Sequence, residues 1–226
     1  VTNEGVTNED WAAWHEFYDQ PGSSLARRLA IVRRRISEAL DGQPSGQIRV
    51  ISACAGQGRD LLGVLPDHPR RDDVVARLVE LDARNVHRAR AAVEGAGLAG
   101  VDVVQADASL SAAYVGMVPA DVVLLCGVFG NISDADVRRV VETAPQLCRS
   151  GGTVIWTRHT DEPDLTPTIR QWFGDSGFDE VGFDTEDGYY FGVGTHVLAA
   201  PSQPYQPTLK LFEWLGHRWS RSEPST

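Results

Sequence analysis

The chain has 226 residues, 42% of them hydrophobic and 23% charged, an ordinary balance for a globular protein and enough apolar material for a substantial core. That apolar content excludes disorder of the whole chain. Its 21 Lys and Arg stand against 31 Asp and Glu, a formal charge of −10, which repels nucleic acid and anionic membranes over most of the surface and favours a small-molecule substrate.

No apolar run reaches the ~18 residues that span a bilayer, and Val1–Asp10 carries neither the basic nor the apolar stretch of a secretory signal. A cytoplasmic protein with no membrane partner is expected. Lys210 is the single lysine, an arginine bias that suggests a GC-rich bacterial source. Cys54, Cys126 and Cys148 are far apart, odd in number and form no CxxC, so neither a disulfide framework nor a metal site is expected. Two end expected strands and the third lies in an expected helix, where cysteine packs as a small hydrophobe.

In chain order, Trp11 to Tyr18 and Ser24 to Leu40 read as two helices of an N-terminal cap over 1–46. Trp11, Trp14, His15 and Tyr18 form one aromatic face, which either closes over a ligand or packs into a core. Leu25, Leu29, Val32, Ile36 and Leu40 share a face of the second helix, and Arg27-Arg28 and Arg33-Arg34-Arg35 either form its solvated side or meet an anionic acceptor or a partner helix. From Gln47 onward apolar runs alternate with amphipathic ones, the pattern of a parallel sheet covered by helices. Strands are expected at Ile48 to Ala53, Arg77 to Leu81, Val101 to Gln105, Asp121 to Cys126 and Thr153 to Arg158. Helices are expected near Arg59 to Leu65, Ala83 to Ala96, Leu110 to Val115, Asp134 to Cys148 and Thr166 to Asp175. Asp82 is placed to cap the second of these, and Gly97 to stop it. Two β-rich runs, Phe178 to Thr185 and Tyr189 to Ala199, flank Asp187-Gly188 and predict a closing antiparallel hairpin. Three prolines beyond Ala199 predict an irregular connection to a tail at 201–226, leaving 47–200 as the ligand-binding domain.

The first strand breaks into Ser52-Ala53-Cys54-Ala55-Gly56-Gln57-Gly58-Arg59-Asp60. Gly56 and Gly58 allow positive φ and close approach of main chain to a ligand, and a helix beginning there would aim its first N–H groups at the same spot. Glu80 follows the second glycine by about 20 residues, the spacing at which a strand-ending carboxylate meets ribose hydroxyls. The plainer alternative for Glu80 is a solvated strand end.

Five strand–helix units closed by a hairpin resemble the class I S-adenosylmethionine-dependent methyltransferases over about residues 47 to 200. The resemblance implies a Rossmann-like α/β fold, doubly wound, with a mostly parallel seven-stranded sheet, and S-adenosylmethionine as cofactor. It assigns cofactor contacts to Ser52, Ala53, Cys54, Gly56, Gly58 and Asp60 in the first turn and to Glu80 and Leu81 on the second strand. Further contacts fall to Asp107 and Ala108 after the third strand and to Cys126, Gly127 and Phe129 after the fourth, where Phe129 would cover the adenine or sulfonium. The turn departs from the family pattern in two places: Ser52 stands where an acid is usual and Cys54 where the first glycine is usual. Asp60 either compensates for the missing charge or serves as a first-turn acid, and Asp107 is either the adenine acceptor or an N-cap before Ser109.

Methyl transfer is an in-line displacement that needs alignment and exclusion of water more than covalent chemistry. His159, leaving the fifth strand where such sheets bind ligands, is either the general base or an exposed loop residue. His196, inside the last strand, is expected to be packed. Trp14, Tyr18, Asn131 and Arg158 are candidate contacts for a small-molecule acceptor. The alternatives are an NAD(P)-dependent oxidoreductase, weakened by Leu61 breaking GxGxxG, and a non-catalytic S-adenosylmethionine-binding module. No nucleic-acid partner is expected, and the oligomeric state is not readable from sequence.

Overall fold

Near-continuous runs of Val, Ile and Leu make the central strands apolar on both faces, as parallel strands covered by helices on either side must be. The computed structural model describes Gln20 and residues 22–215. Within it α1 (Ser24–Asp41) leads into β1 (Ile48–Ala53), β2 (Val74–Glu80), α2 (Ala83–Gly95), β3 (Val101–Gln105) and β4 (Ala120–Leu125). Then come α3 (Asp134–Leu147), β5 (Cys148–His159), α4 (Thr166–Asp175), β6 (Phe178–Asp184) and β7 (Phe191–Leu198). The seven strands run in the order β3-β2-β1-β4-β5-β7-β6. β1 pairs in parallel with β2 and β4, β2 with β3, and β4 with β5; β7 runs antiparallel to both β5 and β6. The expected sheet and closing hairpin are both present.

Alternation along the strands sends neighbouring residues to opposite layers. Ile51, Val123 and Trp156 pack with α3 and α4 on one face, while Val50, Val122 and Ile155 pack with α1 and α2 on the other. Ser23 and Asp82 cap α1 and α2 with side-chain oxygens. Trp156 is fully buried, and its indole N–H donates to His196 Nδ1 at 3.2 Å. Burial lowers the His196 pKa to about 4, consistent with the packed role expected of it.

Several expectations are corrected. No α-helix follows the glycine turn; 59–64 is a series of turns leading into a 3-10 turn at Leu65–Asp67. Gly63 and Pro66 break the helical register, and Arg33 of α1 reaches across to donate to the Arg59 carbonyl at 2.9 and 2.7 Å. A Cβ on Gly63 would lie 2.3 Å from that guanidinium. The α1 arginines are therefore a solvated face only in part: Arg27 and Arg34 stay exposed, whereas Arg28, Arg33 and Arg35 are half-buried. Arg34 and Arg35 donate to Asp184 of β6 at 2.7 and 2.6 Å, Arg27 pairs with Glu186, and together they clamp the helix to the hairpin. Cys148 opens β5 rather than ending a helix, because Pro145 closes α3 and a β-bulge beside Ala120 and Val122 lets the strand pair earlier than expected. The expected helix at 110–115 is a 3-10 turn, Ser111–Tyr114. The aromatic face at Trp11, Trp14, His15 and Tyr18 lies outside the described residues, as does the tail beyond residue 215.

Gly58 has φ +70, and a Cβ there would meet Leu78 Cδ2 at 2.7 Å and Leu62 Cδ1 at 2.8 Å. Gly58→Ala is expected to lower unfolding free energy by about 1–3 kcal/mol through backbone strain and overpacking, seen as a lower denaturant midpoint at unchanged slope. An unchanged midpoint would show that the turn can relax without cost.

Candidate functional site

At the carboxyl ends of β1, β2, β4 and β5, where doubly wound sheets bind ligands, lies a cavity of about 560 Å³, within the usual size of a small-molecule site. Its floor is the turn after β1. Cys54, Gly56 and Gly58 have φ of 50°, 56° and 70°, so Cys54 adopts the left-handed backbone that glycine would adopt at less cost. The shape of the expected glycine turn survives the substitution.

Glu80 holds that turn in place. Its Oε2 accepts from Gly56 N–H at 2.7 Å and its Oε1 from Asp82 N–H at 2.8 Å. Burial raises its pKa against the pull of these backbone donors. A carboxylate offers more acceptor sites than the backbone N–H groups of Gly56, Asp82 and Leu81 fill. Asp107 lines the cavity while its Oδ1 accepts from Ser109 N–H at 2.9 Å, a capping bond that leaves the residue at the cavity wall. Asp60 also lines the cavity; its Oδ1 accepts from Leu61 N–H at 2.7 Å, and burial raises its pKa. Leu81 and Ala108 complete this side.

Across the cavity, the loop after β4 is tied down from both directions. Gly127 N–H donates to Thr157 Oγ1 at 2.9 Å and Asn131 Nδ2 donates to the Gly127 carbonyl at 2.7 Å. Gly127 has φ +79 with open space where a Cβ would stand. Arg158 and His159 end β5 at the cavity wall. The Arg158 guanidinium is 8% exposed, donates to the Phe129 carbonyl and, at 3.1 Å, to Asp134 Oδ1. Burial lowers the His159 pKa and the Arg158 charge lowers it further, against Asp161, Asp164 and Asp134. Both effects favour the neutral imidazole.

Cys54 and Cys126 line the cavity, and burial pushes both thiols up. Burial thus disfavours the thiolate form of both.

Not every candidate residue reaches the cavity. Ser52 is buried within β1 between Leu78 and Leu124, and Ala53 packs in the core. Gly58 serves the packing of the turn. Phe129 is fully buried, its ring 5.7 Å from that of Trp156, so it covers neither adenine nor sulfonium. Trp14 and Tyr18 lie outside the described residues.

Two parts of the wall were not anticipated. One face of α1 contributes Leu25, Arg28, Leu29 and Val32; an arginine three residues after Leu25 and four before Val32, interrupting an apolar stripe, was the readable sign. The C-terminal segment contributes Phe212 and Trp214. Its described part, up to residue 215, is laced down by Leu211 N–H to the Ser109 carbonyl at 2.7 Å and Leu215 N–H to the Asn131 carbonyl at 2.9 Å. Nothing in the local sequence announces those partners.

Among the described residues no group of three or more His, Cys, Asp or Glu side chains could hold a metal ion, and no helix is long and apolar enough to cross a membrane.

No protein-family model matches the sequence, and no curated protein matches it. Solved structures do match. Magnesium protoporphyrin IX methyltransferase from Synechocystis PCC 6803, with S-adenosylmethionine bound, shares 14% identity over 87% of this chain and 99% of its own, at a TM-score of 0.66. A possible exported protein from Bordetella parapertussis shares 16% over 84% of this chain and 79% of its own, at 0.64. An O-methyltransferase family protein from Burkholderia thailandensis shares 18% over 84% and 70%, at 0.55. With the strand order described above, the fold is that of the class I methyltransferases.

Proposed function

We propose that the protein is an S-adenosylmethionine-dependent methyltransferase acting on a small-molecule acceptor. The observation that carries this reading is the Glu80 carboxylate, which anchors a bare left-handed turn while lining the same cavity as Asp107. Glu80 is the partner for a ribose diol and Asp107 for an exocyclic adenine amine, with Leu81 and Ala108 against the base. Asp60 and Arg28 both line the cavity near Cys126, and a carboxyl and a guanidinium there suit the ammonium and carboxylate of a methionine end. Asp60 thereby supplies the charge that Ser52 lacks.

When bound, S-adenosylmethionine supplies an electrophilic methyl group on a sulfonium. The residues of this chain then align and shelter. The Gly127 main chain, held by Thr157 and Asn131, leaves room for close approach at the centre of the cavity. The α1 face and the C-terminal segment exclude water, and His159 takes the acceptor's proton. The dinucleotide alternative fits less well, because β7 enters antiparallel between β5 and β6 where dinucleotide folds continue in parallel.

Calorimetry with S-adenosylhomocysteine is expected to show one-to-one binding. Asp60→Asn is expected to weaken it by about 10- to 100-fold, while affinity for adenosine, which lacks the amino-acid end, stays unchanged. Absence of heat with folded wild-type protein overturns the reading.

A further inference from the structure

Resting on that reading, we propose that the methyl acceptor is a planar aromatic hydroxy compound, held between Tyr190 and Trp214 at the cavity mouth with its hydroxyl directed to His159 beside the buried Arg158.

Much of the wall left after the cofactor half is assigned is apolar and aromatic: Leu25 and Leu29 of α1, Tyr190 just before β7, Phe191 opening it, and Phe212 and Trp214 of the C-terminal segment. Tyr190 and Trp214 are 65% and 39% exposed, whereas Phe191 and Phe212 behind them are buried. Large aromatic surface left in water at the mouth of a cavity marks a place where a flat apolar ligand gains by covering it. Both residues are fixed by main chain on either side. Tyr190 accepts from Thr160 N–H at 3.2 Å, and the segment bearing Trp214 is held by Glu213 N–H to Asp136 Oδ2 at 3.1 Å and Leu215 N–H to the Asn131 carbonyl at 2.9 Å. Two aromatic side chains on separately anchored segments suit a flat ring better than a flexible chain.

The polar groups narrow the class. Arg158 is a buried cation whose Nε has no hydrogen-bond partner, and its carboxylate neighbour Asp134 has a side chain 63% exposed. Such a cation favours an acceptor that turns anionic and disfavours a cationic amine. A phenolic hydroxyl ionises near 10, within reach of a neutral imidazole assisted by a neighbouring positive charge; an aliphatic alcohol is several units further away. In the step itself the phenolic proton passes to His159. The oxygen forms its bond to the methyl carbon as the carbon–sulfur bond breaks, its electron pair staying on sulfur, and the imidazolium then releases its proton to solvent.

The probes are 2-naphthol and its saturated counterpart decahydro-2-naphthol, titrated into protein saturated with S-adenosylhomocysteine. The aromatic probe is expected to bind at least about tenfold more tightly than the saturated one. Trp214→Ala and Tyr190→Ala are each expected to weaken it about fivefold, with Trp214→Phe restoring the affinity. S-adenosylhomocysteine affinity should be unchanged in all three variants, which also certifies their folding. If the homocysteine compound binds but the two alcohols bind equally, or neither binds, or the alanine variants match wild type, the acceptor assignment falls alone. If S-adenosylhomocysteine fails to bind the wild type, the underlying reading falls instead.

Discussion

Glu80→Gln is expected to lower S-adenosylhomocysteine affinity by about 100-fold, equivalent to about 2.7 kcal/mol. The side chain is 9% exposed and its two oxygens receive two different backbone N–H groups, from Gly56 and Asp82. Glutamine offers one oxygen and one N–H₂, so one of those backbone donors must face another donor. The left-handed turn loses its staple, and the ribose hydroxyls lose a charged acceptor, the stronger kind. Stability is also expected to fall by about 1 kcal/mol near pH 7, since an unsatisfied buried donor costs about 1–3 kcal/mol and removing a desolvated charge offsets part of that. The pH dependence separates the two effects. Because burial raises the folded-state pKa of Glu80 above 4.5, its contribution to stability is fully present below 4.5 and is lost as pH rises through the folded value. The glutamine variant should lack that decline. Calorimetry and denaturation at pH 4 to 8 measure both, and an affinity within threefold of wild type would remove Glu80 from the site.

Much of the frame was legible because it is written in local pattern. The β1 run, the acid closing β2 and the Asp187-Gly188 turn each lie within a few residues of the structure they specify, and strand alternation is a short-range signal. The missing helix after the glycine turn shows where such reading stops. Residues 59–65 carry an apolar pattern compatible with a helix, yet Gly63, Pro66 and the long reach of Arg33 from α1 decide otherwise. Arg33 is 26 residues from its acceptor, and no window spans that distance. The same holds at the cavity. Glu80 was found from its spacing after the glycine turn and Asp107 through the family resemblance, both at strand ends that chain order brings together in a parallel sheet. Arg28, Phe212 and Trp214 arrive from elements outside the strand–helix repeat, and Trp214 is placed by bonds to Asp136 and Asn131 that only the folded chain brings near. Phe129 was misassigned for the opposite reason: an aromatic beside two glycines looks available, but its ring turns into the layer of Trp156 while its carbonyl receives Arg158.

His159→Gln is expected to reduce kcat/KM for a phenolic acceptor by 10²- to 10⁴-fold, the range for removing a general base, with S-adenosylhomocysteine affinity unchanged. The pH profile gives the sharper test. Burial and then the Arg158 charge lower the His159 pKa below 6.5, against the carboxylates of Asp161, Asp164 and Asp134, so the basic form persists into mildly acidic solution. The rising limb of the wild-type profile should therefore have its midpoint below 6.5. Asp161→Asn removes the nearest opposing carboxylate, 3.9 Å from Nδ1, and should move that midpoint lower still. The same shift governs stability. Between the lowered folded value and 6.5 the unfolded chain holds the proton that the folded chain refuses, so stability rises with pH across that window and is lost as pH falls through it. His196, whose folded value is about 4, contributes with the same sign and remains in the variant, so His159→Gln should flatten the acid-side loss only in part. A midpoint above 6.5, or an Asp161→Asn shift upward, would mean that the imidazole is held protonated and that another group removes the acceptor's proton.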